Sequence, residues 1–490
     1  MTEQDLHVGP FEATLESLRT FECPTWFRDA KFGIWSHWGP QSVPMYGDWY
    51  ARNIYCEGSD QYRYHMRHYG HPSKVGYRAV AEQWRAENFD PDELMQLFVE
   101  AGARYFVGQA MHHDNFFNYD SAIHDWNSVK VGPRKDITQL WRDAARRHDL
   151  PFGLSEHLGA TFTWWKVNKG HDRHGPFAGI PYDGADPGLA SIYLNNQQHY
   201  DPEGSTAIDV REWYTPDRAW HDHWLAVMTE IIDKYEPELL YSDGALPFDS
   251  HGYDAGLKAV AHLYNASAGR HGGVNQAIYN QKDRNPDIYR VGVLDIERSQ
   301  EPDIKPEPWQ TDTSVGDWFY NVRDVYKTPS HVIEILIDIV AKNGNLLLDI
   351  PQRPDGTVDD ECRYLLTELA DWMRVCGEGI YGTRPWRISS EGPSSVQISG
   401  YVEDAVDWTG EDYRFTTKGD TVYAFQMSWP GDRRAVIRSL ERGERVTDVS
   451  LLGHGSVPFG QVDGVLVAEL PETAAVFGPN CLALTLGTAV

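Results

Sequence analysis

Asp243 closes the run Glu238-Leu239-Leu240-Tyr241-Ser242, and Glu297 closes the run that starts at Tyr289. Short apolar stretches of this kind form central strands of a parallel sheet. His37 ends Lys31-Phe32-Gly33-Ile34-Trp35-Ser36, His112-His113-Asp114 follow Arg104–Met111, and Glu156-His157 end the run from Pro151. Asp312 and Asp349 stand at similar places. Taken alone, Asp243-Gly244 is an ordinary turn pair. Its recurrence changes the reading, because the C-terminal ends of barrel strands converge on one mouth. Two carboxylates from different strands suit glycoside hydrolysis. One, ionised, attacks the anomeric carbon; the other, protonated, hands a proton to the leaving oxygen. The imidazoles suit hydroxyl recognition, since each can donate from one nitrogen and accept at the other.

The elements that must position these groups alternate along the chain. Eight strand candidates can be read, at residues 31–37, 104–111, 151–157, 238–243, 274–279, 289–297, 309–313 and 345–350. Helical patterns separate most of them. One begins at Asp90-Pro91, with Asp as cap and Pro in the first turn. Another spaces Trp220, Trp224, Met228 and Ile231 as a buried helix face, so these tryptophans read as core. This alternation predicts an α/β (β/α)8-type barrel over residues 1–390. The stretch from about 158 to 215 is long and rich in Gly, Asn, Asp and Tyr, and such excursions favour a functional face. After Ser389–Ser395, period-two segments such as Thr421–Gln426 and Gly464–Glu469 predict a small antiparallel β-sandwich over 391–490. Carbohydrate binding and capping are both open to it, and the expected role is to cover apolar barrel surface.

With 490 residues the chain is long enough for both units. Forty-four Lys and Arg against 72 Asp and Glu leave a net charge of -28, which argues against nucleic acid or an anionic membrane as partner. A neutral carbohydrate is compatible with it. No apolar run is long enough to span a bilayer. The first residues show no basic segment leading into an apolar one, and the five cysteines are scattered without a CxxC. A cytoplasmic setting is therefore the expectation. The oligomeric state is left open.

A histidine-lined mouth also fits a metal-dependent hydrolase. The ligand spacing is poor for it. His221-Asp222-His223 lies on a helix, where such neighbours point apart. The series His65, His68, His71 runs into Gly70 and Pro72. No metal and no other cofactor is expected.

Trp26-Phe27-Arg28-Asp29-Ala30-Lys31-Phe32-Gly33-Ile34-Trp35-Ser36-His37-Trp38-Gly39 resembles the opening of the α-L-fucosidases of glycoside hydrolase family 29. Val43-Pro44, Asp48-Trp49-Tyr50, Ala103-Arg104-Tyr105 with His112-His113-Asp114, Asn343–Leu348 and Gly377–Tyr381 resemble further motifs of that family, in order, over residues 20–390. The resemblance implies a retaining double displacement, with Asp243 as nucleophile and Glu297 as acid/base. Glu301 and Glu307 stay open as alternatives for the second role. It also implies that His37, His112 and His113 hold sugar hydroxyls and that Trp49 lies near the sugar's apolar face, with Asp48 where the family often has Glu. His157, Tyr241 and Trp309 complete the expected substrate-binding set. Tyr241 replaces a frequent Trp, Asn115 a Gly and Asp349 an Asn, so a related L-sugar such as L-galactose or L-glucose remains an alternative substrate. A catalytically inactive, glycan-binding barrel is the other alternative.

Overall fold

Eight parallel strands close into a barrel in sequence order: β1 (Phe32–Ser36), β2 (Phe106–Met111), β3 (Phe152–Glu156), β4 (Leu239–Ser242), β5 (Ile278–Gln281), β6 (Val293–Asp295), β7 (Trp309–Ser314) and β8 (Gly344–Asp349). β8 pairs back onto β1, with Phe32 opposite Leu346 and Trp35 opposite Asp349. The computed structural model describes residues 6–200, 207, 212–248, 252, 254–398 and 403–487.

Side chains alternate between the barrel axis and the surrounding helices, because successive residues of a strand point to opposite faces. Trp35, Tyr105, Val107, Leu239, Tyr241, Ile278, Val293 and Leu347 fill the inside. Phe27 and Ala30, from the helix Thr25–Ala30, join that cluster. Ile34, Leu240, Leu346 and Leu348 face outward into the larger core. The helices that cover them start where the sequence provides caps. Asp90 accepts from the backbone N–H of Asp92 and Glu93 ahead of Pro91–Glu100, and Asp217 accepts from that of Trp220 ahead of Arg218–Tyr235. Trp220 and Trp224 are buried in the large core, as their helical spacing indicates.

Beyond the barrel come nine short strands: β9 (Arg384–Glu391), β10 (Tyr413–Lys418), β11 (Thr421–Gln426), β12 (Arg434–Ile437), β13 (Val446–Leu451), β14 (Gly455–Ser456), β15 (Phe459–Val462), β16 (Val465–Glu469) and β17 (Asn480–Leu486). Six of them form an antiparallel sheet in the order β14-β13-β17-β11-β10-β9, and three form the sheet β12-β16-β15. Ser389–Glu391 lie inside β9, and Ser390 pairs with Arg414. Among the described residues no helix is long and apolar enough to cross a membrane.

A buried ion cluster fastens the second unit to the first. Asp338, on the helix Pro329–Ala341, accepts from the Arg414 guanidinium of β10 and from Lys342 Nζ at 2.7 Å. Arg414 also lies over the Trp408 ring at 4.7 Å. Asp338 and Arg414 are 1% and 3% exposed, so neither charge has water to fall back on. Replacing Asp338 by alanine should cost about 3–5 kcal/mol, because two cations lose their buried counter-charge. Urea unfolding of Asp338→Ala against the parent protein measures this; a loss under about 1 kcal/mol would place the pair among weak surface bridges.

Candidate active site

Strand parity delivers the acidic groups to one place. Leu239 and Tyr241 point into the barrel, so Asp243 faces the axis just past the end of β4. Val293 points inward on β6, and Asp295 and Glu297 follow at the same period. Lys282, the first residue after β5, stands between them. Its ammonium donates to Asp243 Oδ1 at 2.6 Å and to Glu297 Oε2 at 2.7 Å, with Asp312 Oδ2 at 3.8 Å. Two oxygens sharing one nitrogen at those distances are at most about 5.3 Å apart. A retaining glycosidase needs its two carboxyl groups ~5–5.5 Å apart.

The two acids are pushed in opposite directions. Burial by itself raises Asp243, but the Lys282 ammonium, a hydrogen bond from His113 and the nearby imidazoles hold it well below the usual carboxylate range. Burial raises Glu297; Lys282 opposes this, and the charges of Asp312 and Asp243 add to it, leaving Glu297 above its ordinary value. One carboxylate is thus kept ionised beside one biased toward its proton, which is the division of labour that acid-assisted nucleophilic substitution requires.

Four imidazoles line the remaining wall. His37 and His112 have ring centroids 4.9 Å apart, and His112 and His157 4.6 Å apart. Burial holds His37 and His112 well below the usual histidine range and takes His157 down to about 3. All three are therefore neutral near pH 7, with one donor and one acceptor each. Both His37 nitrogens and His157 Nδ1 are buried and have no hydrogen-bond partner among the described residues. Such groups are costly unless something polar meets them. His113 Nδ1 donates to the His157 carbonyl at 2.6 Å, and its Nε2 lies 3.2 Å from Asp243 Oδ2.

His37, His112 and His157 each place one nitrogen within 4.8 Å of the others, close enough in space for a metal. The donor set does not fit one. Gln41 Oε1 accepts from the Ala51 N–H at 3.3 Å, which leaves its Nε2 to donate to His112 Nδ1 at 2.7 Å. His112 then carries its proton on Nε2, toward Asp48 Oδ1 at 4.0 Å, and has no lone pair for a cation there.

A family profile for α-L-fucosidases matches residues 2–378, and one for the α-L-fucosidase C-terminal domain matches residues 405–486. The chain belongs to the α-L-fucosidase family. The tissue α-L-fucosidase of Rattus norvegicus is 28% identical over 469 residues, covering 93% of this chain and 87% of that one. The Homo sapiens tissue α-L-fucosidase is 27% identical over 424 residues, 84% of this chain and 78% of that protein. The Thermotoga maritima α-fucosidase, solved in complex with fucose, has a TM-score of 0.74 at 23% identity and covers 97% of this chain and all of its own. That last likeness shows the same fold.

Within this α-L-fucosidase fold, the other sequence candidates divide. Trp49 flanks the mouth in the left-handed backbone region, at φ 55°. Its ring lies parallel to Trp213 at 6.4 Å and edge-on to His113 at 6.1 Å. A bulky residue held there costs of order 1–3 kcal/mol, the kind of strain that gathers at ligand sites. Asp48 is nearly buried, and burial together with Asp317 raises its carboxyl well above the usual range. Tyr241 is a floor, not a wall: it is covered by Trp35 at 4.9 Å, and its hydroxyl donates to Asp312 Oδ2 at 2.9 Å. Glu156 turns away from the mouth to accept from the Leu158 N–H at 2.8 Å and Trp224 Nε1 at 3.2 Å.

Trp309 does not reach the site. It opens β7, so it lies about five residues, or ~17 Å, below the mouth. It also has the outward parity: Gln310 and Asp312 point inward, while the Trp309 ring packs in the outer core and its Nε1 donates to the Lys342 carbonyl at 3.0 Å. Glu301 pairs with Lys305 at 3.6 Å, and Glu307 pairs with Arg290 at 2.8 Å just before β7 begins. Among the described residues neither shares a partner with Asp243. Lys282, Gln41, Trp213 and Asp317 escaped the sequence reading. Lys282 follows directly on β5, three residues past the stretch 274–279 that the sequence marks as the strand.

Proposed function

We propose that this chain is a retaining exo-α-L-fucosidase in which Asp243 is the nucleophile and Glu297 the acid/base. The shared Lys282 contact carries the reading, because it holds two oppositely biased carboxyl groups closer than the ~6.5–9.5 Å of an inverting pair, which favours the retaining arrangement. Asp243 attacks the anomeric carbon as the bond to the leaving oxygen breaks and Glu297 gives that oxygen its proton. Glu297, now a carboxylate, takes a proton from water, whose oxygen attacks the same carbon and releases Asp243. His37, His112 and His157 supply donors and acceptors for sugar hydroxyls. The pocket is floored by Trp35 and Tyr241, so it takes a chain end. The same proximity of Glu297 to Asp243 disfavours an inactive binding barrel. Five cysteines without a disulfide, four of them buried, suit a reducing cytoplasm.

The test is release of 4-nitrophenol from the α-L-fucoside, α-L-galactoside and α-L-glucoside, with and without EDTA. The fucoside should be preferred by at least ~10-fold, the scale at which a pocket sorts substrates differing by one group. EDTA should change nothing. Preference for another L-sugar keeps the mechanism and moves the substrate; chelator-sensitive release would overturn it.

Lys282→Met checks the electrostatics. Without the ammonium both carboxyl groups titrate higher, so the acidic limb of kcat/KM moves to higher pH. A pH–rate series on the variant reads this, and an unmoved acidic limb would mean that Asp243 does not depend on Lys282.

A further inference from the structure

The segment that carries Glu297 is held from two sides. On the barrel side, the Arg298 N–H donates to the Asp312 carbonyl at 2.9 Å, and the Thr311 hydroxyl donates to the Ser299 carbonyl at 2.8 Å. On the other side stands chain from beyond β9. The Ser299 hydroxyl reaches the Ile398 carbonyl at 3.4 Å, and Glu403 accepts from Arg298 Nη1 at 3.3 Å. Glu403 also takes Lys327 Nζ at 2.8 Å and the Thr313 hydroxyl of β7. Its side chain is 14% exposed, against 22% for Arg298 and 14% for Lys327, so the carboxylate neutralises two half-buried cations.

Arg298 has a further hold on the site. Its guanidinium lies 4.6 Å from the Trp318 ring, and its Nη2 donates to the Gly316 carbonyl at 2.7 Å. Trp318 in turn borders Trp35 at 5.5 Å and His37 at 5.7 Å. Arg298 sits in the left-handed region at φ 46°, a conformation that costs energy in a residue with a Cβ and persists only where neighbours enforce it.

We propose that Glu403 is a positioning residue through which the chain beyond the barrel holds the proton donor in place. Glu403 touches no substrate. It fixes Arg298, and Arg298 fixes the backbone next to Glu297. The chain beyond the barrel therefore does more than cover apolar surface: it completes the acid/base half of the site. This rests on Glu297 being the acid.

The test uses two substrates that differ in their need for a proton. An alkyl α-L-fucoside requires general-acid help to expel its alkoxide, whereas α-L-fucosyl fluoride loses fluoride without a carboxylic acid. In the full chain, Glu403→Gln and Glu403→Ala should lower kcat/KM on the alkyl fucoside by roughly 10- to 100-fold, the scale of a misplaced catalytic group. Activity on the fluoride should stay within about twofold of the parent. The alkaline limb of the alkyl-fucoside profile should shift, and Glu403→Asp should recover part of the loss. Equal losses on both substrates, or no loss on either, would overturn the proposal. Glu403→Gln keeps shape and volume should the alanine variant fail to fold. Glu297→Ala is run alongside. If it fails to separate the two substrates, the acid assignment falls and this proposal with it; if it separates them and Glu403→Gln does not, only the role of Glu403 falls.

Discussion

Asp243→Ala lowers kcat/KM toward an aryl α-L-fucoside by on the order of 10⁴-fold or more, the scale on which an enzyme loses its covalent nucleophile. The loss is chemical. Asp243 stands just past the end of β4, and in the variant Lys282 still has Glu297 at 2.7 Å. Melting should therefore move by only a few degrees. Added azide supplies the missing nucleophile from the face that Asp243 occupied, so the recovered product is the fucosyl azide of inverted configuration. NMR of that product tests the point. Retained configuration, or activity within tenfold of the parent, would remove Asp243 from the nucleophile's role.

Glu297→Ala has the second largest effect, and its size depends on the leaving group. General-acid catalysis contributes roughly 10²–10⁴-fold, so the loss should approach that range for an alkoxide and shrink for 2,4-dinitrophenolate. The pH dependence follows from the same group. The productive state has Asp243 ionised and Glu297 protonated. Because Glu297 is raised by burial, Asp312 and Asp243 against the pull of Lys282, rates fall on the alkaline side only above the ordinary carboxyl range. Because Asp243 is held low by Lys282 and His113 against its burial, the acidic limb lies at low pH. In Glu297→Ala the alkaline limb should vanish while the acidic one stays. A profile that keeps both limbs would assign the proton to another group.

The stability measurement on Asp338 and the leaving-group measurement on Glu403 address the same relationship from two ends. Asp338 tests whether the second unit is bound to the barrel through a buried charge. Glu403 tests whether that attachment is felt at the chemistry.

Much of the site was legible because barrel chemistry is written in short-range pattern. A strand's residues alternate in and out, a strand ends where a polar residue or glycine follows, and all strand ends of a parallel barrel meet. Those rules place His37, Asp243 and Glu297 at one mouth from local sequence alone; His112 reaches it across a register shift in β2. The same parity, applied strictly, puts Trp309 out of phase with Asp312 on β7, and there an aromatic near the right strand was a poor substitute for counting. Glu156 is out of phase too: it shares the outward parity of Leu154 and caps backbone N–H groups behind the wall, while Asp243 shares the inward parity of Tyr241 and meets Lys282. Other features had no local signature. Lys282 could be placed by counting, but its bond to two carboxylates needs β4, β5 and β6 closed at fixed spacing. Gln41, Trp213, Trp318 and Glu403 arrive from distant chain, and only packing brings them in. The barrel, its mouth and the residue types that line it follow from periodicity and burial, which are local to each segment. Which acid is ionised, which carries the proton and what holds it there depend on charges a few ångströms apart in space and tens of residues apart in the chain.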